Sequence, residues 1–136
     1  MFDKLILIID TEKDFLRVQK IGAEKNSNIN LINASNEIKA CEILKHLLST
    51  NNLPNLILID INFFTKTTTF LKLIKENKKL QIIPLIVLGE FNLDIISKEN
   101  YYNCVLPKPS EEKEFEKVIQ SIFFFWFKIA KLPSLN

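Results

Sequence analysis

Leu5-Ile6-Leu7-Ile8-Ile9-Asp10 and Leu56-Ile57-Leu58-Ile59-Asp60 decide how this chain folds. Each is an apolar run closed by an aspartate. Continuous apolar runs of about five residues belong to strands covered on both faces, the habit of a parallel sheet under helices. In such sheets chemistry collects beyond the carboxyl ends of the strands. A third stretch, Val105-Leu106-Pro107-Lys108-Pro109, carries a lysine just past another short strand candidate. Two carboxylates and an ammonium are therefore expected to meet at one sheet edge.

Between these runs, helical and strand patterns alternate. The spacing of Phe15, Val18 and Ile21 predicts a helix over Lys13 to Lys25, and Ile29 to Ile32 a short strand. Asn36 is a candidate N-cap for a helix through Ile38, Cys41, Leu44, Leu47 and Leu48. Asn51-Asn52-Leu53-Pro54 marks a turn before the Leu56 strand. Thr67 to Asn77 reads as a third helix through Phe70, Leu73 and Ile74, and Ile82 to Leu88 as a strand. Asn92 to Glu99 reads as a short helix and Asn103 to Leu106 as the last strand. Ser110, followed by Glu111 and Glu112, predicts a capped final helix. Strands alternating with helices in this way imply an α/β, doubly wound sheet.

Composition narrows the function. The 136 residues suffice for one domain with a real core. A formal charge of +2 gives no strong field directed at nucleic acid. Lys72, Lys75, Lys78 and Lys79 read as a solvated helix face. Cys41 and Cys104 have no metal-ligand spacing and read as small buried thiols in a reducing compartment. The opening apolar run is short for a secretory signal and is interrupted by Asp10, and no stretch reaches membrane-spanning length. The expected location is cytoplasmic. Gly22 and Gly89 are the only glycines, which argues against a Gly-rich phosphate loop for flavin or nucleotide.

Asp10, Asp60-Ile61-Asn62, Ile83-Pro84-Leu85-Ile86-Val87-Leu88, Ala40 and Lys108-Pro109 occur in an order that resembles the CheY-like receiver domain of bacterial response regulators. The resemblance covers nearly the whole chain. The ending Phe125-Trp126-Phe127-Lys128-Ile129-Ala130-Lys131-Leu132-Pro133 resembles the extended last helix of stand-alone, phytochrome-associated regulators. This implies a flavodoxin-like five-stranded parallel sheet of order 2-1-3-4-5, with residues 1–136 as one receiver-like domain bearing an extended C-terminal helix and tail. It also implies that Asp60 is the phosphoacceptor, that Lys108 pairs with the phosphoryl group, and that a sensor histidine kinase or phosphotransfer protein is the partner. The physical reading of the residues agrees. Phosphoryl transfer to a carboxylate gathers negative charge, which a divalent cation and a lysine offset. Asp10, Asp60 and the carbonyl of Asn62 would supply oxygen ligands to Mg2+.

Four departures fall on that pocket. The acidic pair implied at the end of the first strand reads Asp10-Thr11, with Glu12 one position further on. The hydroxyl residue implied after the fourth strand is Gly89, followed by Glu90. The aromatic switch residue, three places before the lysine, is Val105. The segment Phe63-Phe64-Thr65-Lys66-Thr67 is about one residue shorter than the pattern of the resembled family and lacks its proline and glycine. The expectation is a two-component receiver acting by protein–protein contact, with weak Mg2+ binding and impaired phosphorylation at Asp60. The alternatives are a fully active Mg-dependent aspartyl-phosphate receiver and an enzyme on the same fold. No nucleophile–base pair is visible, so no catalytic residue is assigned.

His46, between Leu44 and Leu47, reads as half-exposed and structural. Tyr101-Tyr102 read as a contact surface or as loop packing. Phe115, Val118, Ile119, Ile122 and Trp126 form a core stripe on the final helix, and Phe123, Phe124 and Phe127 extend it. A surface helix is polar opposite its core stripe. The excess predicts a homodimer or partner interface.

Overall fold

The structure, a computed structural model, describes residues 4–25 and 28–129. The 130–136 tail, with Leu132 and Leu135, lies outside the described residues. Strands β1 (Lys4–Ile9), β2 (Ile29–Ala34), β3 (Leu56–Asp60), β4 (Leu85–Leu88) and β5 (Cys104–Leu106) form one sheet of order β2-β1-β3-β4-β5. All neighbours are parallel. The expected doubly wound topology is present.

Successive strand residues point to opposite faces, and the sequence uses this alternation to build two cores. Leu7, Ile9, Ile57, Ile59, Leu85 and Val87 pack under α2 (Glu37–Ser49), α4 (Thr69–Lys75) and α5 (Lys78–Gln81). Ile6, Ile8, Leu56, Leu58, Ile86 and Leu88 pack under α1 (Glu12–Lys25) and α7 (Glu112–Phe124).

Several boundaries differ from expectation for local reasons. β2 runs two residues further than expected, to Ala34. Asp60 ends β3 and at once accepts a hydrogen bond from the Asn62 N–H at 2.8 Å, opening a short unanticipated helix, α3 (Ile61–Phe64). The helix expected over Thr67–Asn77 shrinks to Thr69–Lys75, because Thr67 Oγ1 donates to the Phe64 carbonyl at 2.9 Å and closes α3. Asn77 starts α5 by accepting from the Lys79 and Leu80 N–H groups. That helix takes the start of the strand expected over Ile82–Leu88: the Ile83 N–H bonds back to Leu80, Pro84 has no N–H, and β4 begins at Leu85. Asn92, expected inside a helix, caps α6 (Leu93–Ile96) instead. Asn103 precedes β5, and its side chain accepts from the Leu85 N–H at 2.7 Å.

Asn36 caps α2 as expected, accepting from the Lys39 N–H at 2.8 Å. Ser110 does not cap α7; Glu111 stands at that position without a side-chain bond. Ile38 is exposed rather than on the apolar face of α2, His46 is exposed, and Cys104 is only half-buried while Cys41 is buried. Tyr101 and Tyr102 are half-buried, with Tyr102 edge-on to Phe64.

The end of α7 also corrects an expectation. Phe123 is 2% exposed and belongs to the core against Gly22, whereas Phe124 is 59% exposed. A π-helical turn, Phe125–Ile129, follows, with Phe127 half-buried and stacked on Phe123. Phe115, Ile119 and Ile122 are buried, and Val118 and Trp126 half-buried, as the stripe predicts.

Gly89, just past β4, has φ +149°, a conformation L side chains rarely adopt. A Cβ there would lie 2.6 Å from Ile61 Cβ and closer still to Ile61 Cγ2. Ile61 thus fills the place a side chain at 89 would need.

Two outcomes follow for stability. Phe123→Ala is expected to cost about 3–5 kcal/mol in urea unfolding, as for a buried aromatic cavity, and Phe124→Ala no more than about 0.5 kcal/mol. Gly89→Thr, which restores a hydroxyl, is expected to destabilise by about 2–4 kcal/mol from backbone strain plus overpacking. A Gly89→Thr protein with an unchanged urea midpoint would show that Ile61 moves aside freely.

Candidate functional site

The same alternation that sorts the core places the site. Asp10 and Asp60 continue the set of Ile8 and Leu58, on the α1/α7 side of the sheet's carboxyl edge. Lys108 continues the set of Leu106. Pro107 fixes its own φ, and Pro109 biases Lys108 toward extended backbone, so the lysine leaves β5 along a restricted path.

Lys108 Nζ lies 2.8 Å from Asp10 Oδ2 and 2.7 Å from Asp60 Oδ2, so the expected carboxylate pair and ammonium do meet. Both aspartates are buried. Each is also tied to backbone: the Thr11 N–H donates to Asp10 Oδ1 at 2.7 Å, and the Asn62 N–H to Asp60 Oδ1 at 2.8 Å. The Asn62 side chain itself is exposed.

A third carboxylate, missed in the sequence reading, joins them. Asp14 Oδ2 lies 2.8 Å from the same Nζ. Thr11 and Glu12, the positions weighed for a second acid, are both exposed. Thr11 serves instead as a cap, its Oγ1 accepting from the Asp14 N–H at 3.2 Å. The signal lay in the spacing: Asp14 falls four residues after Asp10, on the first turn of α1, where the helix rises beside the strand end.

The electrostatics follow from this crowding. Burial pushes the Asp10 carboxyl above its ordinary value despite the hydrogen bond from Lys108. For Asp14, burial acts upward too, but hydrogen bonds from Lys108 and Arg17 outweigh it and hold the carboxyl low. Burial would lower the Lys108 ammonium; hydrogen bonds to Asp10, Asp14 and Asp60 raise it well above the ordinary lysine range. The ammonium therefore stays charged at neutral pH.

The segment after Asp60 is held by two residues that the sequence reading also missed. Lys98 Nζ donates to the carbonyls of Phe64, Thr65 and Thr67 at 3.1, 2.9 and 3.0 Å. Glu37 Oε2 accepts from the N–H groups of Thr68 and Phe70 at 2.8 and 3.1 Å. Neither residue has a local sequence signal, since each acts some thirty positions away in the chain. On the other face of the sheet edge, Gly89 offers no hydroxyl, Val105 packs half-buried against the α2/α4 core, and Glu90 is exposed.

No family model matches the chain. It is 32% identical to Response regulator Rcp1 of Synechocystis, over 96% of this chain and 92% of that protein. The crystal structure of the phosphorylated cyanobacterial phytochrome response regulator RcpA superposes with a TM-score of 0.82 at 27% identity, covering 96% of this chain and 99% of RcpA. The Mn2+-bound form of Rcp1 superposes with a TM-score of 0.75 at 32% identity, covering 96% and 99% of the two chains. Identity at that level over almost the full length of both proteins settles the ancestry: the chain belongs to the response regulators, as a CheY-like receiver of two-component signal transduction.

Proposed function

We propose that residues 1–136 form one cytoplasmic receiver domain that acts by protein–protein contact, with Asp60 as a phosphoacceptor whose use is impaired. The observation that carries the reading is Asp60 Oδ2, 2.7 Å from the Lys108 ammonium. Transfer forms a bond from an Asp60 oxygen to phosphorus and breaks the bond from phosphorus to its donor. Lys108 then pairs with the new phosphoryl oxygens. Impairment is expected because Gly89 supplies no side-chain donor to those oxygens and because Lys108 is already shared by three carboxylates.

Asp10, Asp60 and the Asn62 carbonyl are the groups that would hold a divalent cation; Rcp1 has a Mn2+-bound form. Two buried carboxylates converging on one point fit a hard cation in chemistry. When bound, Mg2+ would offset the charge that gathers on the transferring oxygens. Among the described residues, no three acid, histidine or cysteine side chains are grouped to hold a metal as they stand. Lys108 Nζ occupies the point on which the Asp10 and Asp60 oxygens converge, so a cation there would require it to yield part of its position, which supports weak binding.

A fully active receiver is the second reading, and Asp14 favours it by bringing back a third carboxylate beside Asp10 and Asp60. The phosphoryl source is a sensor histidine kinase or phosphotransfer protein, with no nucleic-acid partner and no enzymatic turnover of its own. Among the described residues, no helix is long and apolar enough to cross a membrane. Self-association is assigned to the end of α7, where Phe124 and Phe125 are 59% and 48% exposed. This replaces Phe123, which is buried, and Phe127, which is half-buried and stacked on Phe123.

Incubation with acetyl phosphate and magnesium is expected to add one phosphoryl mass slowly. Asp60→Asn should abolish the addition, and Lys108→Met should slow it at least tenfold. Addition as fast as in Rcp1 measured alongside would favour the fully active reading; labelling that survives Asp60→Asn would reject the acceptor assignment. In light scattering, the parent chain is expected to be a dimer, and the Phe124→Glu, Phe125→Glu double variant a folded monomer. A monomeric parent would sink the dimer assignment.

A further inference from the structure

We propose that Asp14 and Arg17 are positioning residues that carry the state of Lys108 to α7, a route on the face of the sheet opposite Gly89 and Val105. The proposal deepens the phosphoryl reading of Lys108 and rests on it for its physiological meaning. Lys108 Nζ lies within 2.8 Å of three carboxylates, hydrogen-bonded to Asp10 and Asp60 and ion-paired with Asp14. A further anion that pairs with this ammonium competes with all three.

The three are not equally easy to release. Asp10 and Asp60 sit at strand ends and are pinned by backbone N–H groups. Asp14 sits on the first turn of α1 and has a second cation of its own: Arg17 Nη1 donates to Asp14 Oδ1 at 3.0 Å. Loss of Lys108 leaves Asp14 still compensated, whereas the other two carboxylates would be left buried without a cation. Asp14 is thus the one that lets go.

Arg17 is where this reaches α7. Its Nε forms an ion pair with Glu112 Oε2 at 3.5 Å, and its guanidinium lies 3.9 Å from the Phe115 ring centroid. Glu112 is the first residue of α7, and Phe115 is fully buried one turn on. A guanidinium shared by two carboxylates divides itself according to what else each one holds. When Lys108 turns toward a phosphoryl group on Asp60, Asp14 is left to Arg17 alone and draws it from Glu112. The start of α7 then loses a tether. Coupling is reciprocal, so a partner that fixes α7 also alters how Lys108 is shared.

Backbone and arginine side-chain NMR of the full chain tests this in two arms. Beryllofluoride with magnesium is added to the parent, to Asp14→Asn and to Arg17→Met; separately, Lys108→Gln is introduced into each without ligand. In both arms the Arg17 Nε resonance and the amides of Glu112 to Ile119 are expected to move in the parent. The α7 shifts should be at least threefold smaller with Asp14→Asn or Arg17→Met, although the amides of Asp60 and of position 108 still respond. Equal α7 shifts in all three proteins, or none in the parent in either arm, would overturn the coupling. If the mimic leaves the pocket amides unmoved while Lys108→Gln still moves α7 through Asp14 and Arg17, the coupling stands and the phosphoryl reading fails.

Discussion

One ammonium organises this molecule's working end. Lys108 Nζ sits within 2.8 Å of three carboxylates that come from β1, α1 and β3. Breaking such a buried pair by deleting one partner typically costs about 3–5 kcal/mol, because the other charge is left uncompensated. The arrangement is thus a structural joint as much as a chemical site, and β5, otherwise a short and half-buried strand, is tied to the sheet centre through it.

The sheet divides two sets of consequences. On the α2/α4 side, Ile61 occupies the space beside Gly89, and Val105 packs against an apolar core. The hydroxyl and the aromatic switch residue that the resemblance implies are replaced on that side by Gly89 and Val105. That side is filled and apolar. On the α1/α7 side, charge runs without interruption from Asp60 through Lys108, Asp14 and Arg17 to Glu112. Polar connections that alter with charge lie on one face, and tight packing that resists alteration lies on the other.

What could be seen in the sequence followed from periodicity and from residues that act locally. The Leu5–Asp10 and Leu56–Asp60 runs marked buried parallel strands, Asn36 marked a helix start, and Lys108-Pro109 marked the third corner of the pocket. Asp10, Asp60 and Lys108 meet because strand alternation puts them on one side of one edge. The errors have a common physical origin in contacts made across the fold. Phe123 and Phe124 are adjacent and chemically identical, and only the position of α1 decides that one is core and the other exposed. Asp14 is not adjacent to Asp10 in the sequence; the first turn of α1 brings it, and not Thr11, to the lysine. Lys98 and Glu37 carry no local mark at all.

The hold of Lys98 and Glu37 on residues 64–70 has a consequence for how this loop gains its order. A proline stiffens a turn by restricting the unfolded chain as well, so its contribution is already present before folding. Five charge-assisted bonds from distant elements act only once α2, the segment following α6 and the loop have assembled. Order in this loop is therefore a late, cooperative property of the assembled fold, absent from the covalent chain, and it depends on two side chains remaining in place.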